Sequence, residues 1–163
     1  MLFRSTAATP NNTTNFFLSC SDSTNSKCII YSSGTISNRT GTYNTISDLK
    51  LKQDIVDASS QWDDIKALRI VNYRLKDEVA ANPNYPAYLG VVAQEVEQVS
   101  PGLIDDCPDF EEVEEVDDEG NVAIKRVPTG TSTKSVKTSV LYMKAVKALQ
   151  EAMSRIETLE AKI

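Results

Sequence analysis

The sequence predicts an α+β chain of short strands and helices, carrying a β-hairpin arm and a C-terminal coiled-coil helix. Three observations lead there. Residues 1–46 are rich in Ser, Thr, Asn and Gly and hold only short apolar runs. Between positions 109 and 127 an acidic run and a basic run face each other across a turn-forming stretch. From Tyr142 onward, apolar residues recur in alternating steps of three and four, which is the heptad spacing of helices that bundle.

The elements follow in order. Phe16–Cys20 and Cys28–Tyr31 read as strands separated by the turn residues 21–26, with Thr35-Ile36-Ser37 as a third short strand. Strands this short bury no core alone. Composition changes at Ser47: Ile55, Val56, Trp62, Ile65 and Leu68 fall at helix-compatible intervals, with Asp54 and Asp57 early and Lys66 and Arg69 late. Ile70–Leu75 alternates like a strand, and Asn82-Pro83-Asn84-Tyr85-Pro86 reads as a loop. Leu89–Val92 is a strand feeding a helix at Ala93–Val99, which Pro101-Gly102 ends. Asp109–Val116 and Val122–Val127 form the hairpin around the turn 117–121, and Pro128–Thr133 reads as loop. Tyr142, Ala145, Leu149, Ala152, Ile156, Leu159 and Ile163 form the stripe of a helix over about 139–163, whose regular steps and small residues favour bundling between copies over docking of a lone amphipathic helix on its own domain.

Charge divides the chain. Residues 1–46 hold three basic residues and one acid, a net of +2, so of the overall −6 residues 47–163 carry −8. An acidic chain is a poor nucleic-acid surface, and no run approaches the roughly 18 apolar residues of a membrane span. The opening Met1-Leu2-Phe3-Arg4 leads into polar sequence rather than the apolar core of a signal peptide. Three cysteines without CxxC spacing, Cys20, Cys28 and Cys107, read as reduced thiols of a protein folded in a cytosol.

The chain has no histidine, which removes Ser-His-Asp and Cys-His catalysis and imidazole-dependent metal sites. A serine activated by lysine is among the few nucleophile pairs left. Ser47 and Lys52 lie in the run Ser47-Asp48-Leu49-Lys50-Leu51-Lys52-Gln53-Asp54-Ile55. Read alone, Ser47 is a helix N-cap and Asp48 a first-turn acid. Five residues along a helix is 140° off the same face, and along a strand it is the opposite face. A bend, or a lysine from a neighbouring copy, is therefore needed to join the two.

That run, with Gly90-Val91-Val92-Ala93-Gln94-Glu95-Val96 downstream, resembles the self-cleaving intramolecular chaperone domain at the C-terminus of phage tail fibres and tailspikes, the peptidase S74 family. The family pattern is serine, aspartate, two residues, an apolar residue and lysine; Lys50 stands where many members carry arginine. The resemblance implies an intertwined homotrimer, with residues 1–46 the end of a β-rich fibre or spike and 47–163 the chaperone. It implies a scissile bond at Ile46-Ser47, Ser47 as nucleophile and Lys52 as general base, with Asp48 and Lys50 supporting. Cleavage would occur once per chain, on no external substrate and without cofactor or metal. Assembly would take place in host cytoplasm; the N-terminal product would stay in the virion and the chaperone be released. The implied partners are two further copies and the upstream fibre, with no nucleic acid and no membrane. A cap of the same fold that never cleaves and stays as a structural tip is the alternative. A binding module with a coiled-coil tail and no chemistry is a third reading.

Overall fold

The computed structural model describes residues 12–116 and 122–162; Met1–Arg4, the turn 117–121 and Ile163 of the apolar stripe lie outside the described residues. The chain forms two compact units, residues 1–55 and 56–163.

The first unit contains an antiparallel sheet of β1 (Phe16–Ser21), β2 (Ser26–Tyr31) and β3 (Ile36–Asn38), in that order. Cys20 faces Cys28 in the β1–β2 register, and Cys28 faces Asn38 in β2–β3. The β1–β2 turn is built by Asp22, whose Oδ1 accepts from Thr24 N, Asn25 N and Thr24 Oγ1 at 2.7–2.9 Å. Lys27 Nζ adds an ion pair to Asp22 at 2.6 Å. The ammonium first, then those hydrogen bonds, hold the Asp22 carboxyl far below the usual carboxylate range. None of residues 12–55 is fully buried, as expected of three short strands without a covering layer.

The second unit begins with α1 (Trp62–Ala67), followed by β4 (Val71–Tyr73), α2 (Lys76–Ala81), β5 (Tyr88–Gly90) and α3 (Ala93–Val99). A 3-10 turn at Pro101–Leu103 leads into β6 (Ile104–Val116) and β7 (Val122–Val136), and α4 (Thr138–Glu160) closes the chain. β4 pairs antiparallel with β5, and β6 with β7. The buried apolar residues described are Val96, Leu103 and Ala148. This is a mixed helix-and-strand fold with small antiparallel sheets and a long C-terminal helix, as the sequence predicts at that level.

Several boundaries differ from the sequence reading. The helix expected across Ile55–Leu68 is confined to Trp62–Ala67, so Asp63 and Asp64, not Asp54 and Asp57, occupy its first turn. Asp54 sits at φ 54°, a left-handed conformation that interrupts any helix there. Ser60 Oγ accepts the Trp62 N–H at 3.3 Å, the side-chain competition by which serine favours helix starts. The strand expected over Ile70–Leu75 shrinks to Val71–Tyr73, and α2 forms where no helix was expected.

Pro128–Thr133, expected as loop, is part of β7. Opposite the single Asp109, between the pairs Pro108–Ser132 and Phe110–Pro128, β7 carries residues 129–131. Gly130 takes φ 83° in this bulge. Asp109 holds it with Thr131 Oγ1 donating at 2.8 Å and Thr133 Oγ1 at 2.7 Å, while Thr129 Oγ1 donates to the Asp109 carbonyl at 3.3 Å. Local side-chain hydrogen bonds thus keep a turn-rich stretch inside the ribbon. The charge complementarity is realised as Glu112 opposite Arg126, a Lys125–Glu115 ion pair at 3.4 Å, and Arg126 stacked 4.9 Å over Phe110. At the other end of the ribbon, Lys134 Nζ pairs with Glu97 of α3 at 2.6 Å.

One face of α4 docks on α1. Lys144 Nζ reaches Asp64 at 2.8 Å, Ser60 Oγ and Gln61 N donate to Glu151 at 2.7 and 3.1 Å, and Arg155 lies 3.9 Å over the Trp62 ring. Ala148, 7% exposed, lies on this same face. The heptad stripe is rotated about 100° from it, one residue along the helix. Leu149, Ile156 and Leu159 of that stripe are 60%, 54% and 62% exposed in the single chain.

Candidate functional site

Ser47 and Lys52 are brought together by a 3-10 turn, Leu49–Leu51. Asp48, not Ser47, is its N-cap: Asp48 Oδ1 accepts the Lys50 N–H at 3.0 Å. Leu51 N donates to the Asp48 carbonyl at 3.1 Å, and Lys52 N to the Leu49 carbonyl at 3.0 Å. Lys52 then leaves the turn in extended conformation, φ −117° and ψ 146°. The tight turn reverses the chain within five residues, which neither an α-helix nor a strand achieves at that spacing. Lys52 Nζ donates to Ser47 Oγ at 2.6 Å, within one chain.

Both side chains are exposed, and Ile46, which contributes the preceding carbonyl, is 84% exposed. Water therefore has access to the Ile46-Ser47 peptide. Lys50 Nζ lies 3.5 Å from Asp48 Oδ2, so these two side chains counter each other's charge. A helix N-terminus after Ser47 would offer backbone N–H groups free to bind an oxyanion. The N–H groups of Lys50, Leu51 and Lys52 are instead engaged inside the turn.

The second run, Gly90 to Val96, is the junction from β5 into α3. A Cβ built on Gly90 would stand 3.0 Å from Tyr73 Cε1, so the absence of a side chain here lets the Tyr73 ring pack close against β5. Val96 is buried, while Glu95 clamps Arg69 through Nε at 2.9 Å and Nη2 at 2.5 Å. That pairing holds the Glu95 carboxyl below its ordinary range and raises the Arg69 guanidinium.

A polar cluster beside β5 has no local signature in the sequence. Glu78 of α2 is buried; its Oε1 accepts from Tyr88 Oη at 2.9 Å, and its Oε2 is buried without a hydrogen-bond partner. Tyr88 Oη also lies 3.4 Å from Tyr85 Oη, and the Tyr73 and Tyr88 rings pack at 5.7 Å between centroids. The neighbouring Tyr85 hydroxyl first, then Glu78, raise the Tyr88 hydroxyl well above the ordinary tyrosine range. Only the return of the chain from α2 to β5 joins these residues.

Residues 47–105 match the peptidase S74 family, chaperone of endosialidase. Both runs on which the sequence resemblance rests fall inside that stretch, and the match begins at Ser47. Among solved structures, the carboxy-terminal domain of the bacteriophage T5 L-shaped tail fibre with its intramolecular chaperone domain is similar, with a TM-score of 0.53 and 17% identity. The likeness, one of fold, covers 83% of this chain and 41% of that one.

Proposed function

We propose that residues 47–163 are an intramolecular chaperone for a phage tail fibre or tailspike, that it assembles as a homotrimer, and that it cuts itself from residues 1–46 at Ile46-Ser47. The observation that carries the reading is the 2.6 Å approach of Lys52 Nζ to Ser47 Oγ within one chain. The family match over residues 47–105 supports the chemistry, and the exposed heptad stripe of α4 supports assembly.

In the proposed step, Lys52 in its neutral form takes the Ser47 hydroxyl proton while Oγ attacks the Ile46 carbonyl carbon. The tetrahedral oxyanion collapses with loss of the C–N bond, and the proton passes from Lys52 to the Ser47 amine. The chain is now joined through an ester between Ile46 and Ser47 Oγ. Water hydrolyses that ester, leaving residues 1–46 with a new carboxylate and a fragment beginning at Ser47. A free lysine has a pKa of about 10.4, so a lysine acting as a base needs surroundings that favour its neutral form. Enclosure of the exposed pair by neighbouring copies would favour the neutral amine. Cleavage then follows assembly, and each chain reacts once.

Intact mass of the folded chain, beside Ser47→Ala and Lys52→Ala, tests this. The wild type yields a fragment beginning at Ser47 and both variants stay whole. Co-assembling the two variants decides whether Lys52 acts within its own chain, as the 2.6 Å contact implies. A wild type that stays whole after forming its oligomer refutes cleavage and leaves a permanent trimeric cap.

A further inference from the structure

The β1–β2 hairpin places two thiols in direct register. Cys20 on β1 and Cys28 on β2 are cross-strand partners, and both are free. Directly opposed residues of an antiparallel pair project to one face with Cα atoms about 4.5–5.5 Å apart. That separation falls inside the window of about 4.4–6.8 Å that a disulfide spans. A one-residue slip would send the two thiols to opposite faces, so the register must be held.

It is held on two sides, with a register shift between Cys20 and Ser21 on the turn side. Toward the turn, Asp22 N donates to the Asn25 carbonyl at 3.0 Å, and Ser21 Oγ lies 3.2 Å from Ser26 Oγ. The Asp22–Lys27 ion pair spans the same turn at 2.6 Å. On the outer side, Arg39 N donates to the Lys27 carbonyl at 3.0 Å, fixing β2 against β3 beside Cys28. Cys20 is exposed and Cys28 half-buried, which makes Cys20 the thiol that meets a reagent first. The sheet they join has no fully buried residue, the situation in which small folds rely on covalent staples.

We infer that Cys20 and Cys28 are a redox clip: reduced during folding, they form an intrachain cross-strand disulfide on meeting a low-molecular-weight disulfide such as oxidised glutathione. The Cys20 thiolate attacks one sulfur of the reagent, breaking its S–S bond, forming a mixed disulfide and releasing one glutathione thiolate. The Cys28 thiolate then attacks Cys20 Sγ and expels the second glutathione. The two cysteines lose two electrons, the reagent gains them, and the two thiol protons end on the two glutathione molecules. Closing the loop from 20 to 28 restricts the unfolded chain and raises the temperature at which the sheet melts. The clip does not depend on cleavage at Ile46-Ser47.

The sequence supplies its own test, because trypsin cuts after Lys27, between the two cysteines. The full chain, with Cys107→Ser to remove the third thiol, is incubated with oxidised glutathione, alkylated, and digested without reductant. Peptides 5–27 and 28–39 are expected to run as one species, two hydrogens lighter than their sum, and to separate on reduction. Intact mass under denaturing, non-reducing conditions should show a single chain, so that the bond is intrachain. The folded protein should form it about tenfold or more faster than the chain in guanidinium, since folding fixes the thiols at reacting distance. Persistent glutathione on both cysteines, chains joined to chains, or equal rates folded and unfolded would each overturn the inference. All of these readouts use the native Cys20 and Cys28, so the result does not hinge on whether a cysteine variant folds.

Discussion

Replacing Leu149 with alanine separates an assembling α4 from one that only docks on its own chain. In the single chain Leu149 is 60% exposed, on the apolar stripe next to the face that meets α1, with Trp62 and Ile65 at its border. Full burial of a leucine side chain contributes about 1.5–3 kcal/mol, so covering the exposed share contributes about 1–2 kcal/mol per chain. Over the proposed trimer this sums to about 3–6 kcal/mol, or roughly a 10²- to 10⁴-fold weaker association constant for Leu149→Ala. Alanine has the higher helix propensity, so α4 itself is not weakened. Sedimentation equilibrium over a concentration series reads the association constant, and thermal unfolding followed by circular dichroism reads its concentration dependence. Gln150→Ala, outside the stripe, serves as control and should change neither. A wild type that is monomeric throughout, with Leu149→Ala melting within about 0.5 kcal/mol of it as an ordinary surface substitution would, refutes assembly through this stripe.

Other consequences are equally concrete. Lys52→Arg preserves charge and length, but a guanidinium does not lose its proton in a protein, so the variant should fold, assemble and remain uncut by intact mass. Gly90→Ala puts a methyl 3.0 Å from Tyr73 Cε1 and should lower stability by about 1 kcal/mol, read as a reduced Tm, because the exposed Tyr73 ring can shift part of the way. Acid should loosen α1 from α4. Asp64, through Lys144 and then Ser100, and Glu151, through Ser60 foremost, both hold carboxyls below their ordinary range. For depressed carboxylates the stabilisation is full above the unfolded pKa, near 4, and is lost as pH falls through the lower folded value. Tm should therefore fall as pH drops below about 4, and Asp64→Asn should lessen that pH dependence; a wild-type Tm flat down to pH 3 would contradict it.

Much of this protein is legible in the sequence where local physics decides it. Alternating β-type runs around Asp22 give β1 and β2, the glycine-to-helix junction gives β5 and α3, and the apolar stripe gives α4. The boundary errors share one cause: apolar spacing does not register side-chain competition for the backbone. Ser60 and the left-handed Asp54 shorten the helix expected from Ile55, while Asp109 and three threonines draw an apparent loop into β7. The dyad is a mixed case. The sequence names Ser47 and Lys52 and shows that no regular element joins them, but not what does.

The sequence by itself determined the mixed α+β class, the candidate residues Ser47 and Lys52, the absence of any histidine-based chemistry and the apolar repeat of α4. Each depends on residue identity or short spacing, which a chain carries before it folds. Tertiary structure decided that a single 3-10 turn bends Lys52 back to within 2.6 Å of Ser47, and that α4 meets α1 through Lys144, Ala148, Glu151 and Arg155 with its heptad stripe left open. It also decided that Cys20 faces Cys28 and that Glu78 is buried beside Tyr88. Those facts depend on strand register and on which helix face finds a partner. Both are fixed only when distant segments compete for the same neighbours, so no local pattern holds them.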